Sequence, residues 1–401
     1  MKTAIYTLTS ELHDAQSVGA ATKAFLSSLS VDYDFKDDDY SDYGSNSLDL
    51  IYVRTGGTEG IFKRLLPELQ SKSNRPYYLL TSGKSNSLAA SMEILSFLRQ
   101  NGLQGEIIHG DAAYISQRIT LLEKVGEARR QLRGCRLGII GTPSDWLISS
   151  HADKAKVKER LGIDLIDIPM QELLNAIAAT PTETVQEEVP AEHICKALPD
   201  AYRVYRALKT LVEQYRLEGF TLRCFDLLTA VHNTGCLALA KLNAEGIAAG
   251  CEGDVPALLS MTIAKALIGV SGFQANPASI NPQTGEMVFA HCTIPLDMVE
   301  RYEYDTHFES GIGVGIRGYM KEEDVTIFKV SGDFSRHFIA EGRLVRNEAK
   351  PDLCRTQQVI RLTNAEQASY FLTDPIGNHH LILPGHLQEL LSGFTQALTK
   401  A

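Results

Sequence analysis

"GIAAGCEGDVPALLSM", Gly246–Met261, carries the reading on which the fold turns. A short run of small apolar residues stops at Glu252, Gly253 and Asp254, and helix signals begin by Ala257. Strand, sharp turn and helix in that order make a βα unit of a parallel sheet. In such sheets ligands bind beyond the carboxyl ends of the strands, where Glu252 and Asp254 stand. Asp254 has the position and chemistry of a helix N-cap. Glu252 has two readings, a partner of the helix dipole or a working carboxylate, and its place directly after the strand favours the second.

The same pattern extends upstream. "AIYTLT" (Ala4–Thr9), "LDLIYV" (Leu48–Val53), "PYYLLTS" and "GEIIHG" read as strands, each followed by a helical stretch. One of these helices, "GIFKRLLPELQ", persists despite Pro67. After the basic linker "EARRQLRG" the pattern restarts at "GCRLGIIGTPSDWLISS" (Gly134–Ser150). From about Asn276 it changes: "EMVFAHC", "VTIFKVSG", "HFIAEGRLV" and "QVIRL" are short strands punctuated by turn residues. The expected architecture is two Rossmann-like α/β domains with parallel sheets, 1–133 and 134–275, then an antiparallel, barrel-like β domain, 276–401, ending in a helix.

Composition narrows the function. A chain of 401 residues, 44% hydrophobic, can bury several cores. Its net charge of −10, with no basic stripe, argues against nucleic acid. No apolar stretch is long enough to span a bilayer, and the start lacks a signal-peptide pattern, so a cytoplasmic protein is expected. Seven scattered cysteines, never spaced C-x-x-C, suggest reduced thiols rather than a disulfide framework or zinc knuckle. The acidic run "DYDFKDDDYSDY" (Asp32–Tyr43) reads as a solvated loop.

Two familiar motifs fail on inspection. "TSGKSNS" has Gly-Lys-Ser, but Tyr78 stands where a phosphate loop needs glycine. "GVGIRG" (Gly313–Gly318) leads into a turn and strand, not a helix, so a curved strand explains it better. No nucleotide cofactor is expected. "RTGGTEG" is either a plain turn or a backbone cradle in which Gly56, Gly57, Thr58 and Glu59 meet a polar ligand. In "PSDWL", Asp145 can cap a helix, or Trp146 can stack on a sugar ring. "FAHCTIP" ends a strand at His291, and "PIGNHHLIL" puts Asn378, His379 and His380 beside an apolar run. Glutamate and histidine at separate strand ends suit a divalent cation.

These residues resemble the L-fucose isomerase / L-arabinose isomerase superfamily, in particular a shorter branch of it. "CEGDV" is similar to the family's Glu-x-Asp segment, "GNHH" to its carboxyl-terminal Gly-Asn-His segment, and "FAHCTIP" to the segment lining the pocket between them. The resemblance implies a ketol isomerase acting on a monosaccharide or sugar derivative through an ene-diol. Glu252 is then the proton-transfer base, Glu252 and His379 hold Mn2+ or Mg2+, and the other motif residues (Asp254, His291, Asn378 and His380) contact substrate. It also implies a homo-oligomer, a trimer or hexamer. Asn276 falls where the family carries a second acid, which would weaken metal binding and remove one proton carrier. Two alternatives therefore stay open: a sugar-binding or regulatory protein on the same fold, and a sugar epimerase.

Overall fold

The computed structural model describes residues 3–187 and 191–399. Of the acidic segment 180–193, residues 188–190 lie outside the described residues. Two compact units divide the chain at 130/131.

In the first unit, β1 (Thr3–Leu8) and β3 (Leu48–Val53) are buried at every residue. That is the behaviour of strands covered on both faces, and it explains their near-continuous apolar runs. With β2 (Tyr33–Asp37), β4 (Tyr77–Leu80) and β5 (Gly105–Ile108) they form a parallel sheet in the order β2-β1-β3-β4-β5. The acidic run 32–43 is not a solvated loop throughout. Its Tyr33–Asp37 pairs with β1 as an edge strand, and Tyr40 and Tyr43 are buried with their rings 4.9 and 5.4 Å from that of Tyr6. An edge strand can turn its charges to water, so the carboxylates masked the strand signal.

The second unit holds another parallel sheet, β6 (Arg136–Ile140), β7 (Asp164–Ile168), β8 (Gly219–Leu222) and β9 (Ala248–Cys251), in the order β7-β6-β8-β9. The strands that follow are β10 (Phe273–Asn281), β11 (Glu286–His291), β12 (Arg301–Asp305), β13 (Gly315–Tyr319), β14 (Asp324–Val330), β15 (His337–Glu348), β16 (Thr356–Leu362) and β17 (His380–Pro384). Six of them pair antiparallel in the ring β10-β11-β16-β15-β14-β17, closed where Phe273 faces Ile382 and Ala275 faces His380. β12 and β13 form a separate ribbon, and "GVGIRG" is largely strand β13. A Cβ at Gly318 would lie 2.5 Å from Ile294 Cγ2, so close packing, not phosphate binding, demands that glycine. The change of pattern expected at Asn276 falls inside β10, and the expected domains 134–275 and 276–401 share one compact unit. The helix Val255–Ile268 links them. It packs on β8 and β9 and also on β14 and β17, so it is buried almost all round and reads as apolar on every face. Among the described residues no helix is long and apolar enough to cross a membrane.

Candidate active site

The chain leaves β9 through Glu252 (φ 62°) and Gly253 (φ 72°), two consecutive left-handed residues. Glycine adopts this region freely, whereas a glutamate there costs on the order of 1–2 kcal/mol. The surroundings hold it in place. The Ser144 N–H donates to the Glu252 carbonyl (2.9 Å), and the Gly253 N–H donates to the Leu222 carbonyl (3.0 Å). A Cβ at Gly253 would stand 2.6 Å from the Thr142 carbonyl oxygen. Strain kept at a carboxylate points to use of that carboxylate.

Asp254 caps the following helix, accepting from the Ala257 N–H at 2.7 Å, with Pro256 in the first turn. It also does more than cap. Wholly buried, it lies 3.4 Å from Lys329 Nζ on β14 and 2.9 Å from His379 Nδ1. Burial pushes its carboxyl up, but Lys329 and His379 outweigh burial and bring it to about 2. Asp254 has no solvent exposure, and its contact with His379 Nδ1 fixes the orientation of that ring.

His379 turns its other nitrogen, Nε2, toward Glu252 Oε1 at 3.4 Å. His291, at the end of β11, approaches the same oxygen at 3.5 Å. Burial pushes His379 down, but Glu252 and Asp254 more than offset it and raise it to about 9. For His291 burial wins over Glu252 and its pKa falls. Glu252 is itself pushed up by burial, and the two imidazoles hold it well below the usual carboxylate range. Its second oxygen accepts a 2.7 Å hydrogen bond from Trp146 Nε1–H. The indole rests edge-on against Phe225. Asp145 does not cap a helix here: it pairs with Arg223 (2.9 Å), beyond the end of β8, and this clamps the loop that presents Trp146.

A cation-sized arrangement results. One ligand atom each from Glu252, His291 and His379 lies within 4.8 Å of the others. His379 Nε2 is buried without a hydrogen-bond partner, an expensive condition that calls for an acceptor or a cation. One carboxylate and two imidazoles suit a divalent transition metal, and Asp254 behind His379 fixes the ring's orientation. The residues therefore fit a metal. His291, expected to touch substrate, stands in this group. Asn276, expected near the metal, lines the same pocket as Glu252 and His291, with its Oδ1 accepting from Asn378 Nδ2 at 2.9 Å.

His380 is a correction. Successive strand residues face opposite ways, so it lies away from His379, with Nε2 3.0 Å from the Tyr370 hydroxyl and rings of Phe338 and Phe371 beside it. Burial lowers its pKa to about 3 and keeps it neutral. Gly56, Gly57, Thr58 and Glu59 belong to the first unit. They form a turn in which the Thr58 hydroxyl donates to the Thr55 carbonyl and Glu59 opens the helix Glu59–Lys72.

The pocket opens beside Glu252, with Phe225, Leu228 and Asn276 in its lining. Its lining includes His307 and Glu309, from the loop joining β12 and β13, neither singled out by the sequence. Burial, then His291, lowers His307 to about 4, while burial and Glu252 raise Glu309. Five of the seven cysteines also line it: Cys224, Cys236, Cys251, Cys292 and Cys354.

Sequence comparison bears on what this buried carboxylate–imidazole centre does. No family model matches the chain. It is 26% identical over 257 residues to sulfoquinovose isomerase of Clostridium sp. (strain MSTE9), covering 59% of this chain and 57% of that protein. It is 22% identical over 261 residues to the sulfoquinovose isomerase of Alkalicoccus urumqiensis, covering 61% and 59%. It is 22% identical over 305 residues to that of Priestia aryabhattai, covering 72% and 68%. The chain is thus similar to sugar isomerases, and the match spans less than two thirds of the first two relatives' length.

Proposed function

We propose that this chain is an aldose–ketose isomerase of the L-fucose/L-arabinose isomerase type, moving a proton between C1 and C2 of an open-chain sugar. The observation that carries the reading is Glu252: ionised, strained into a left-handed turn, and flanked by two imidazoles and an indole N–H at the edge of a pocket. A divalent cation held by Glu252, His291 and His379 would polarise the sugar carbonyl and steady the developing oxyanion. The nitrogen content of that set favours Mn2+ over Mg2+.

The chain's own groups carry the protons. Glu252 Oε2 keeps a lone pair beyond its bond to Trp146 and takes the proton from carbon. Asn276 cannot take a proton, so the hydroxyl side of the transfer falls to another group lining the pocket. Glu309, raised where Glu252 is lowered, is the acid of the pair, with His307 beside it. Asp254 and Lys329 hold His379 in place. Sulfoquinovose, the sugar named for the relatives, heads the candidate substrates. We further propose a cytoplasmic homo-oligomer, trimer or hexamer; light scattering at the mass of a single chain, 44.1 kDa, would exclude it.

A second reading, a sugar-binding protein that has lost the chemistry, is favoured by Asn276 alone. One experiment separates the two. Sulfoquinovose, 6-deoxyhexoses and pentoses are incubated with the protein and Mn2+ in D2O. Deuterium at C1 or C2, absent with Glu252→Gln, supports the isomerase. Sugar binding without exchange supports the binding protein, and a gain of exchange in Asn276→Asp would show what it had lost.

A further inference from the structure

The cysteine-lined wall has no part in the proton chemistry. Cys251 is the last residue of β9 and immediately precedes Glu252. Its Sγ lies 3.1 Å from Sγ of Cys224, just beyond the end of β8, and both residues line the pocket. Cys292 and Cys354, which also line the pocket, are hydrogen-bonded to each other. The exposed Cys195 has no part in the cluster.

We propose that Cys224 and Cys251 form an oxidisable dithiol whose conversion to a disulfide by a peroxide disables the Glu252 centre. The chemistry balances. Hydrogen peroxide transfers one oxygen to the first thiol, giving a sulfenic acid and releasing water. The second thiol's sulfur attacks that sulfur, the S–S bond forms, and the departing hydroxide leaves with the thiol proton as a second water. Peroxide is reduced, and the two sulfurs together lose two electrons. A disulfide bond is about 2.05 Å long, so the sulfurs must close by about 1 Å. Cys251 has little slack. It is hydrogen-bonded through its N–H to Gln274 (2.9 Å), and the next residue is the left-handed Glu252, tied to Ser144. The displacement therefore passes to the Glu252 carboxylate, which must keep its place between His291, His379 and Trp146. Misplacement of a reacting group by about 1 Å costs roughly 100-fold in rate.

The test treats the full-length, metal-supplemented protein with hydrogen peroxide and maps its peptides by mass. The expected product is a Cys224–Cys251 cross-link with loss of two hydrogens, reversed by dithiothreitol. Turnover should fall about 100-fold and return on reduction. Cys224→Ser, or Cys251→Ser if the first is unstable, should form no such link and lose no turnover on peroxide treatment, each compared with its own untreated sample. Oxidation of the exposed Cys195 with no Cys224–Cys251 link overturns the proposal. So does a link formed with turnover unchanged. The loss of turnover rests on the isomerase reading, but the cross-link does not. If no sugar is turned over at all, that reading fails and the peptide map still decides whether the dithiol closes.

Discussion

The turn after β3 and the turn after β9 begin alike. Each leaves the carboxyl end of a parallel strand through a left-handed glycine, Gly57 (φ 76°) or Gly253 (φ 72°), and sets an acidic residue against the start of a helix. The outcomes differ. Glu59 is the first residue of its helix, and the turn before it closes on its own threonines. Glu252 stands before the glycine, itself left-handed, and meets two histidines and a tryptophan. What separates them is what lies opposite. β11, β14 and β17 bring His291, Lys329 and His379 to the second turn, so a local sequence pattern becomes a site only through strands far along the chain.

The largest break in this comparison should come from the carboxylates. Glu252→Gln should cut turnover by about 10²–10⁴-fold with the fold kept, since the amide matches in shape but takes no proton, whereas Glu59→Gln should stay within about twofold. Steady-state kinetics with matched circular dichroism would check both. A Glu252→Gln protein retaining half its turnover would remove Glu252 as base.

Next in size is the buried charge behind His379. Asp254→Asn leaves Lys329 unpaired in the interior and should destabilise by about 3–5 kcal/mol in chemical denaturation, with Lys329→Met added to it recovering much of that loss. A pH series in chelator adds the sign. The folded pKa of Asp254, about 2, lies below its ordinary value of 3.8. Its stabilisation is therefore complete above that ordinary value and disappears as pH falls toward 2. Asp254→Asn should lack that part of the acid sensitivity.

The metal gives a third contrast. Mn2+ should raise the melting temperature of the wild type, and His291→Ala should abolish most of the rise. A full rise in His291→Ala would exclude that histidine as a ligand.

Smaller still are the glycines. Ala at either position pays about 1–2 kcal/mol for its φ. Gly253→Ala should cost more, because its Cβ meets the Thr142 carbonyl at 2.6 Å, while at Gly57 the nearest atom is a serine hydroxyl at 3.2 Å. Equal costs in denaturant would show that the second turn is not tightly held. The least effect belongs to His380→Phe, which should lose about 1 kcal/mol with the Tyr370 contact and leave turnover within twofold.

Much of the fold was legible because its signals are local. Buried parallel strands read as apolar runs, Asp254 as a cap, and the strands after 276 as alternating segments. The edge strand β2 was hidden because its outward carboxylates look like a loop. The site was legible at Glu252 and His379, which sit in distinctive segments. Lys329 left a trace, since it shares the strand face of Val325 and Ile327, where a charge is costly. His307 and Glu309 left none: their loop reaches the pocket only because the β12–β13 ribbon is inserted between two barrel strands. The cysteines are far apart in sequence, and only the folding of the barrel against the sheet makes them neighbours.

The strand that closes the barrel, β17, comes last of all the strands, yet it pairs on one side with β10 and on the other with β14. During synthesis, Glu252, Asp254 and Lys329 therefore leave the ribosome well before the segment that carries His379. Until residue 384 has been made, the barrel has two unpaired edges and a lysine with nowhere dry to go. The barrel therefore cannot close before that segment has been made. Chain growth itself sets the earliest moment at which this molecule can act.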